Sequence, residues 1–323
     1  MLQKRLNEQR KHMPEGDDKL TRTFTRLMSS GRTGAAIKLL SKKETKGVHQ
    51  LGDIIDGRSV RSILIEKHPN ARPANTEALL NEPFSDIPES LHTLIFEDIS
   101  SDDFRQAALH TEGSAGPSGL DAMAWRRLCT SFSESSNGLC AALALFAKRI
   151  STSYVDPRSL SAYTASRLIP LDKCPGVRPI GVGEVCRRIV GKVIMRYARP
   201  EIRRAVGPIQ LCGGFESGGE AAFRATYDIF KDDNTEAMLF VDASNAFNQL
   251  NRKVTLFNSR TVCPSLAPSI INTYRIPSNL YVGGESIVSA EGTTQGDPLG
   301  LAIYAFGSQP LIQRLQTLSL IHI

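Results

Sequence analysis

Apolar residues along this chain change their spacing several times, and each change predicts an element. Residues 1–18 are polar and charged and are expected to be disordered. Between residues 20 and 109, short apolar runs such as 35–40 and 60–66 alternate with Gly and Pro. Pro69, Pro73, Pro83 and Pro88 break the pattern, so residues 19–110 predict a loosely organised, mostly helical N-terminal extension. A helix is expected around residues 121–128, and the Ala- and Leu-rich residues 139–150 predict another. Residues 167–171 and 177–182 read as short strands about a turn at 173–176. A basic helix is expected from residue 184 to 199, stopped by Pro200. A Gly-rich turn at 213–219 leads into a helix at 220–230. Residues 237–241 are continuously apolar and end on Asp242, the pattern of a buried strand. Residues 281–282 and 287–290 flank Gly283-Gly284, a hairpin signal. Residues 291–300 read as a loop, and 301–318 as a helix interrupted near Pro310.

Composition narrows the class. Hydrophobic residues make up 41% of the 323, which supports a packed core and excludes wholesale disorder. A net charge of +6 says little, but its distribution says more. Residues 1–50 hold 12 Lys and Arg against 5 Asp and Glu, and residues 165–205 hold 10 against 3, so the remainder is net acidic. Concentrated positive charge is the footprint of phosphate contacts, and equally of solvated basic helix faces. The six cysteines are dispersed, with no C-x-x-C pair, which argues against a zinc cluster or a disulfide framework and fits a reducing compartment. The start carries no apolar signal segment, and apolar stretches such as 139–147 are too short to cross a bilayer. An intracellular location, cytoplasmic or nuclear, is expected, with no membrane partner.

Three segments carry candidate chemistry. In FVDASNAF, residues 240–247, a strand would deliver the carboxylate of Asp242 at its end, with Phe247 five residues later. A carboxylate so placed can hold a divalent cation that stabilises charge on a transferring phosphoryl group. Taken alone, the segment is also an ordinary strand followed by an Asp turn, with Phe247 in the core. In EGTTQGDPLG, residues 291–300, three glycines and a proline make a loop that can approach a ligand closely, and Gln295 can both donate and accept. It reads equally as a plain hairpin-to-helix loop in which Asp297 caps the helix that follows. In RLIPLDKCPGVRPIGVGEVCRR, residues 167–188, Lys173 and Arg178 would project from a hairpin and could clamp a triphosphate. Its GVG is not a dinucleotide fingerprint, because Cys186 stands where the third glycine belongs and no βαβ unit surrounds it.

In order and content these segments resemble the reverse transcriptases of non-LTR retroelements. RPIGVGEVCRR resembles the family's fingers motif, FVDASNAF its first palm motif and EGTTQGDPLG its second. GPSGLDA, residues 116–122, is similar to an upstream Gly-Pro-x-Gly motif. The resemblance spans roughly residues 111–315. It implies an α+β fold: right-hand polymerase fingers from 111 to 235 and, from 236 to 317, an incomplete palm with an antiparallel sheet. It also implies an enzyme that copies RNA into DNA by two-metal nucleotidyl transfer. By that likeness Asp242 is the catalytic carboxylate and binds two Mg²⁺ ions, helped by the backbone carbonyl of Ala243. Phe247 is the steric gate for deoxynucleotides, and Gln295 and Gly296 line the nucleotide pocket. Lys173 and Arg178 grip the triphosphate. Gly116, Pro117 and Gly119 lie near the template, and Arg187, Arg188 and Lys192 contact the RNA template and DNA primer.

One departure from the family matters. A third palm motif, aromatic-x-Asp-Asp, should follow the QGDP helix, and no such sequence follows residue 300. Two metals about 3.5–4 Å apart need more than one carboxylate. The polypeptide is therefore expected to be a truncated fragment, inactive as a polymerase. Residues 318–323, LSLIHI, back-translate into the end of a common sequencing adaptor and are expected to be a tail of that origin. The competing expectation is a non-catalytic nucleic-acid-binding remnant. An RNA-directed RNA polymerase is disfavoured by Phe247.

Overall fold

A computed structural model describes residues 17–41, 47–74, 94–173, 176–208, 210, 211, 213, 215, 217–232, 238 and 240–317. The expected tail lies outside them, as does most of the expected disordered start. Two compact units emerge: Met1–His49 with Leu171–Arg178, and Gln50–Pro170 with Pro179–Ile323.

In the smaller unit, α1 (Asp17–Ser29) and α2 (Thr33–Ser41) form a helical hairpin. The disorder expected through residue 18 gives way to helix at Asp17. The Arg32 N–H closes the connection by donating to the Leu27 carbonyl at 2.9 Å. Val48 bridges to Leu171, the Asp172 N–H donates to the Gly47 carbonyl at 3.0 Å, and the His49 ring stands 3.8 Å from the Asp172 carboxylate.

The larger unit opens with a small antiparallel ladder, β1 (Ile54–Ile55) and β2 (Arg58–Ser59), which leads into α3 (Val60–Lys67). Ser59 caps α3 by accepting the Ser62 N–H at 3.2 Å. After the described gap come a single 3₁₀ turn at Leu94–Phe96, then α4 (Ser101–Leu109), α5 (Ala122–Thr130) and α6 (Ser133–Thr152). Asp121 caps α5 by accepting the Ala124 N–H at 2.8 Å. Helix α6 starts earlier than the apolar run that betrayed it. Its first turn is the polar SESS segment, while Cys140, Leu143, Ala144, Ala147 and Ile150 form the buried stripe.

A short α7 (Ser161–Thr164) precedes β3 (Ser166–Asp172) and β4 (Val177–Gly183). Helix α8 (Val185–Val206) runs straight through Pro200, where a stop was expected. Proline removes one backbone hydrogen bond, but Ile202 and Val206 beyond it are buried and hold the last turns in the core. Then come α9 (Gly218–Phe230), α10 (Ala246–Gln249), α11 (Arg252–Val262) and α12 (Ala267–Tyr274), followed by β5 (Ser278–Val282), β6 (Glu285–Ser289) and α13 (Gly300–Thr317). Helix α13 likewise continues through Pro310.

The main sheet has the order β4-β3-β5-β6. Strands β5 and β6 form the expected hairpin, turning at Gly283 and Gly284 with φ of 54° and 84°. Strand β3 lies parallel to β5, Ser166 opposite Leu280. The sheet is thus mixed, where an antiparallel one was expected. Helices α4, α5, α6, α8, α12 and α13 enclose the core, in which Phe96, Phe104, Ile189, Ile194, Ile270 and Phe306 are fully buried. Of the buried strand expected at residues 237–241, the described residues 238, 240 and 241 lie in no strand, and Phe240 and Val241 are 75% and 84% exposed. An apolar run becomes a strand only where a neighbour accepts its backbone bonds, and no described strand flanks it. Among the described residues no helix is long and apolar enough to cross a membrane.

Candidate functional site

The three glycine-rich segments meet at the start of α8. A Cβ on Gly116 would stand 2.8 Å from both the Cα and the nitrogen of Glu184, so only glycine lets the 113–119 loop lie flat on that turn. Glu184 fastens the loop from the other side, its carboxylate accepting the Ser118 N–H and Oγ–H, each at 2.7 Å. On the opposite flank the Gly181 N–H donates to the Gln295 carbonyl at 3.1 Å. Residues 116–118 and 294–298 therefore pack on the same short stretch, 181–184.

Beneath this junction lies a buried polar hub. The Arg187 guanidinium, its side chain 5% exposed, pairs with Asp297 Oδ2 and donates to the Thr164 carbonyl at 3.0 Å and the Tyr274 hydroxyl at 3.1 Å. Tyr274 donates to the same Asp297 oxygen at 2.5 Å, while Asp297 Oδ1 accepts the Leu299 N–H at 2.8 Å. Burial opposes charge on Arg187, but Asp297, Tyr274 and Tyr163 together outweigh it and raise its pKa. Burial, reinforced by Asp297, also raises the Tyr274 phenol, which stays protonated at neutral pH and so remains a donor. Arg187 does not face a phosphate as expected; its charge is consumed inside the fold. Asp297 does more than cap α13: it ties α8, α12 and the loop together.

The turn after Asp242 is built on the same loop. Asn245 adopts a left-handed φ of 51°, and the Nδ2 groups of Asn245 and Asn248 both donate to the Lys67 carbonyl, at 2.8 and 3.1 Å. The Thr293 N–H donates to the Phe247 carbonyl at 2.7 Å and the Gly292 N–H to the Leu250 carbonyl at 2.9 Å. Arg252, buried under the loop, donates to the carbonyls of Ser289, Glu291 and Gly292 at 2.7–2.9 Å. Burial pushes its pKa down to about 10, still well above neutrality. Phe247 is half-buried, its ring 5.3 Å from that of Tyr304 on α13.

No family model matches this chain, and neither does any curated protein.

Geometry must therefore carry the reading. Asp242 and Ala243 are exposed, and Asp242 makes no hydrogen bond or ion pair to another described residue. Among the described residues no three His, Cys, Asp or Glu gather to hold a metal. One exposed carboxylate does not fit a pair of Mg²⁺ ions. Phe230-Lys231-Asp232-Asp233 does spell aromatic-x-Asp-Asp, but it precedes FVDASNAF rather than following the QGDP loop, and Asp233 lies outside the described residues. Lys173 and Arg178 are exposed members of the smaller unit. Pro117, Gly119 and Gly296 are exposed, Gly116 is buried and Gln295 half-buried.

A groove of about 450 Å³ lies along α8, lined by Arg188, Lys192, Arg196 and Arg199 together with Glu112, Gly296 and Pro298. The spacing of 188, 192, 196 and 199 puts these cations on one helix face. They are held from behind rather than neutralised in full. Arg188 donates to the Glu112 and Ser114 carbonyls, Lys192 to the His110 carbonyl at 3.0 Å, and Arg196 to Asp103 at 2.9 Å. Burial, then the neighbouring Arg188, lowers the Lys192 pKa. Sequence reasoning picked out Arg188 and Lys192 but missed Tyr274, Tyr304 and Arg252, which lie in or against α11–α13, where no motif pointed.

Proposed function

We propose that the larger unit is the fingers and part of the palm of an RNA-directed DNA polymerase of the non-LTR reverse transcriptase type. One observation carries this reading: residues 181–184 pack against both 116–118 and 294–298, so three segments that resemble family motifs share one junction. The α8 groove opens beside it and suits the phosphate backbone of an RNA template paired with a DNA primer. By the family likeness, Gln295, Gly296 and Phe247 would face a deoxynucleoside triphosphate. Mg²⁺ would need carboxylates additional to Asp242.

The 323-residue polypeptide taken by itself is a binder rather than a polymerase. An exposed Asp242 with no bond to another described residue, together with a cationic groove on α8, favours this second reading. Primer extension on an RNA–DNA hybrid with Mg²⁺, run alongside hybrid binding at graded salt, tests both. Salt-sensitive binding without extension is expected. Binding indifferent to salt removes the groove, and templated, Asp242-dependent extension removes the claim of inactivity.

A further inference from the structure

One side chain anchors both ends of the segment that carries Gln295 and Gly296. The Tyr274 hydroxyl accepts the Thr294 N–H at 3.2 Å and donates to Asp297 Oδ2 at 2.5 Å. A phenol has one proton and two acceptor sites. Arg187 fills the second acceptor site at 3.1 Å, so the proton is left for Asp297. The ring is 3% exposed and is flanked by the Arg187 and Arg252 guanidinia, 5.5 and 5.4 Å from its centroid. It has no room to swing away. Between the two anchors, the Asp297 N–H closes a turn on the Thr294 carbonyl at 3.1 Å, and the Gly181 N–H holds the Gln295 carbonyl at 3.1 Å.

We propose that Tyr274 is a positioning residue: its hydroxyl fixes the backbone of Gln295 and Gly296 in the conformation that receives a nucleotide. The nucleotide half of this assignment rests on the function proposed above; the anchoring half does not. Asp297 keeps Arg187 and the Leu299 N–H when the hydroxyl is removed, whereas the Thr294 N–H keeps nothing. The loss is therefore local to residues 294–296.

Tyr274→Phe in the whole chain tests it, since the ring and both cation contacts remain. Amide hydrogen exchange at residues 294–296 should quicken about tenfold, the scale of one lost buried hydrogen bond, with β5, β6 and α8 unchanged. Unchanged exchange there overturns the anchoring. A fluorescent deoxynucleoside triphosphate should bind the variant several-fold more weakly at a temperature where circular dichroism shows both proteins folded. Equal affinity overturns the positioning role, and a wild-type protein that binds no nucleotide overturns the nucleotide half alone. Should the variant not fold, wild-type exchange decides: protection of 294–296 matching β5 and β6 supports the anchor, and exchange as fast as exposed loops overturns it.

Discussion

Gly292 presses on Asn248 so closely that a Cβ on residue 292 would lie 2.6 Å from the Asn248 Cα. That contact joins the turn after Asp242 to the loop before Gln295. Gly292 also has a φ of 58°, where side chains are strained. Gly292→Ala should therefore cost about 2–4 kcal/mol, backbone strain and overlap together. Gly284→Ala is the control: its φ is 84° but nothing lies within 4 Å, so only about 1–2 kcal/mol is expected. Urea melts of both variants measure the difference, and equal losses would show the packing term to be wrong.

The Arg187–Asp297 pair is buried on both sides, so breaking it strands a charge. Asp297→Ala should cost about 3–5 kcal/mol, the usual penalty for an unpaired buried ion. Arg187→Met combined with Asp297→Ala should cost clearly less than the sum of the two single changes. A double-mutant cycle by chemical denaturation reads the coupling, and additive losses would argue that the two residues act independently.

Burial raises the phenols of Tyr163 and Tyr274 above their ordinary value of 10.0. Below pH 10 both folded and unfolded chains keep these protons, and stability is indifferent to them. Above it the unfolded chain ionises first, so stability falls as pH climbs towards the folded pKa. Tyr274→Phe should flatten the decline between pH 9.5 and 11, measured by melts at stepped pH. An unaltered slope would mean that another group drives it.

These residues also show what the sequence could and could not reveal. The hairpin at Gly283-Gly284 was legible, because such a turn demands glycine whatever surrounds it, whereas Gly116 and Gly292, expected near a ligand or template, meet the chain's own backbone instead. Helix α8 was legible in its start and not in its end, since burial of Ile202 and Val206 overrides the proline between. At Phe240 and Val241 the apolar run misled, because apolarity records a wish for burial and not the presence of a partner strand. Arg187 misled in the opposite sense. One basic residue among ten in residues 165–205 looks like the others until Asp297, far along the chain, is folded against it. Tyr274 gave no local signal at all.

Exposed cations on α8 should dominate binding to an RNA–DNA hybrid. Lys192→Ala and Arg196→Ala should each lower the slope of log affinity against log salt by about 0.7–0.9, one phosphate contact apiece. Fluorescence anisotropy at several salt concentrations gives the slopes. Arg178→Ala, in the smaller unit, should instead leave the hybrid slope unchanged. A slope untouched by either α8 change would move the nucleic-acid path elsewhere.

Asp242 is the residue on which family likeness and observed surroundings diverge most. The likeness makes it the centre of catalysis, yet it is exposed and bonded to no described residue. A lone surface carboxylate holds a divalent cation weakly, since water competes for the ion and no second ligand fixes the geometry. Asp242→Asn should accordingly change stability by less than about 0.5 kcal/mol and leave hybrid affinity unaltered. Mg²⁺ titration, followed by calorimetry on wild type and variant, should reveal no saturable site that depends on Asp242 in the micromolar range. A tight, Asp242-dependent site would mean that further ligands reach it, and would restore a metal-centred role to this polypeptide.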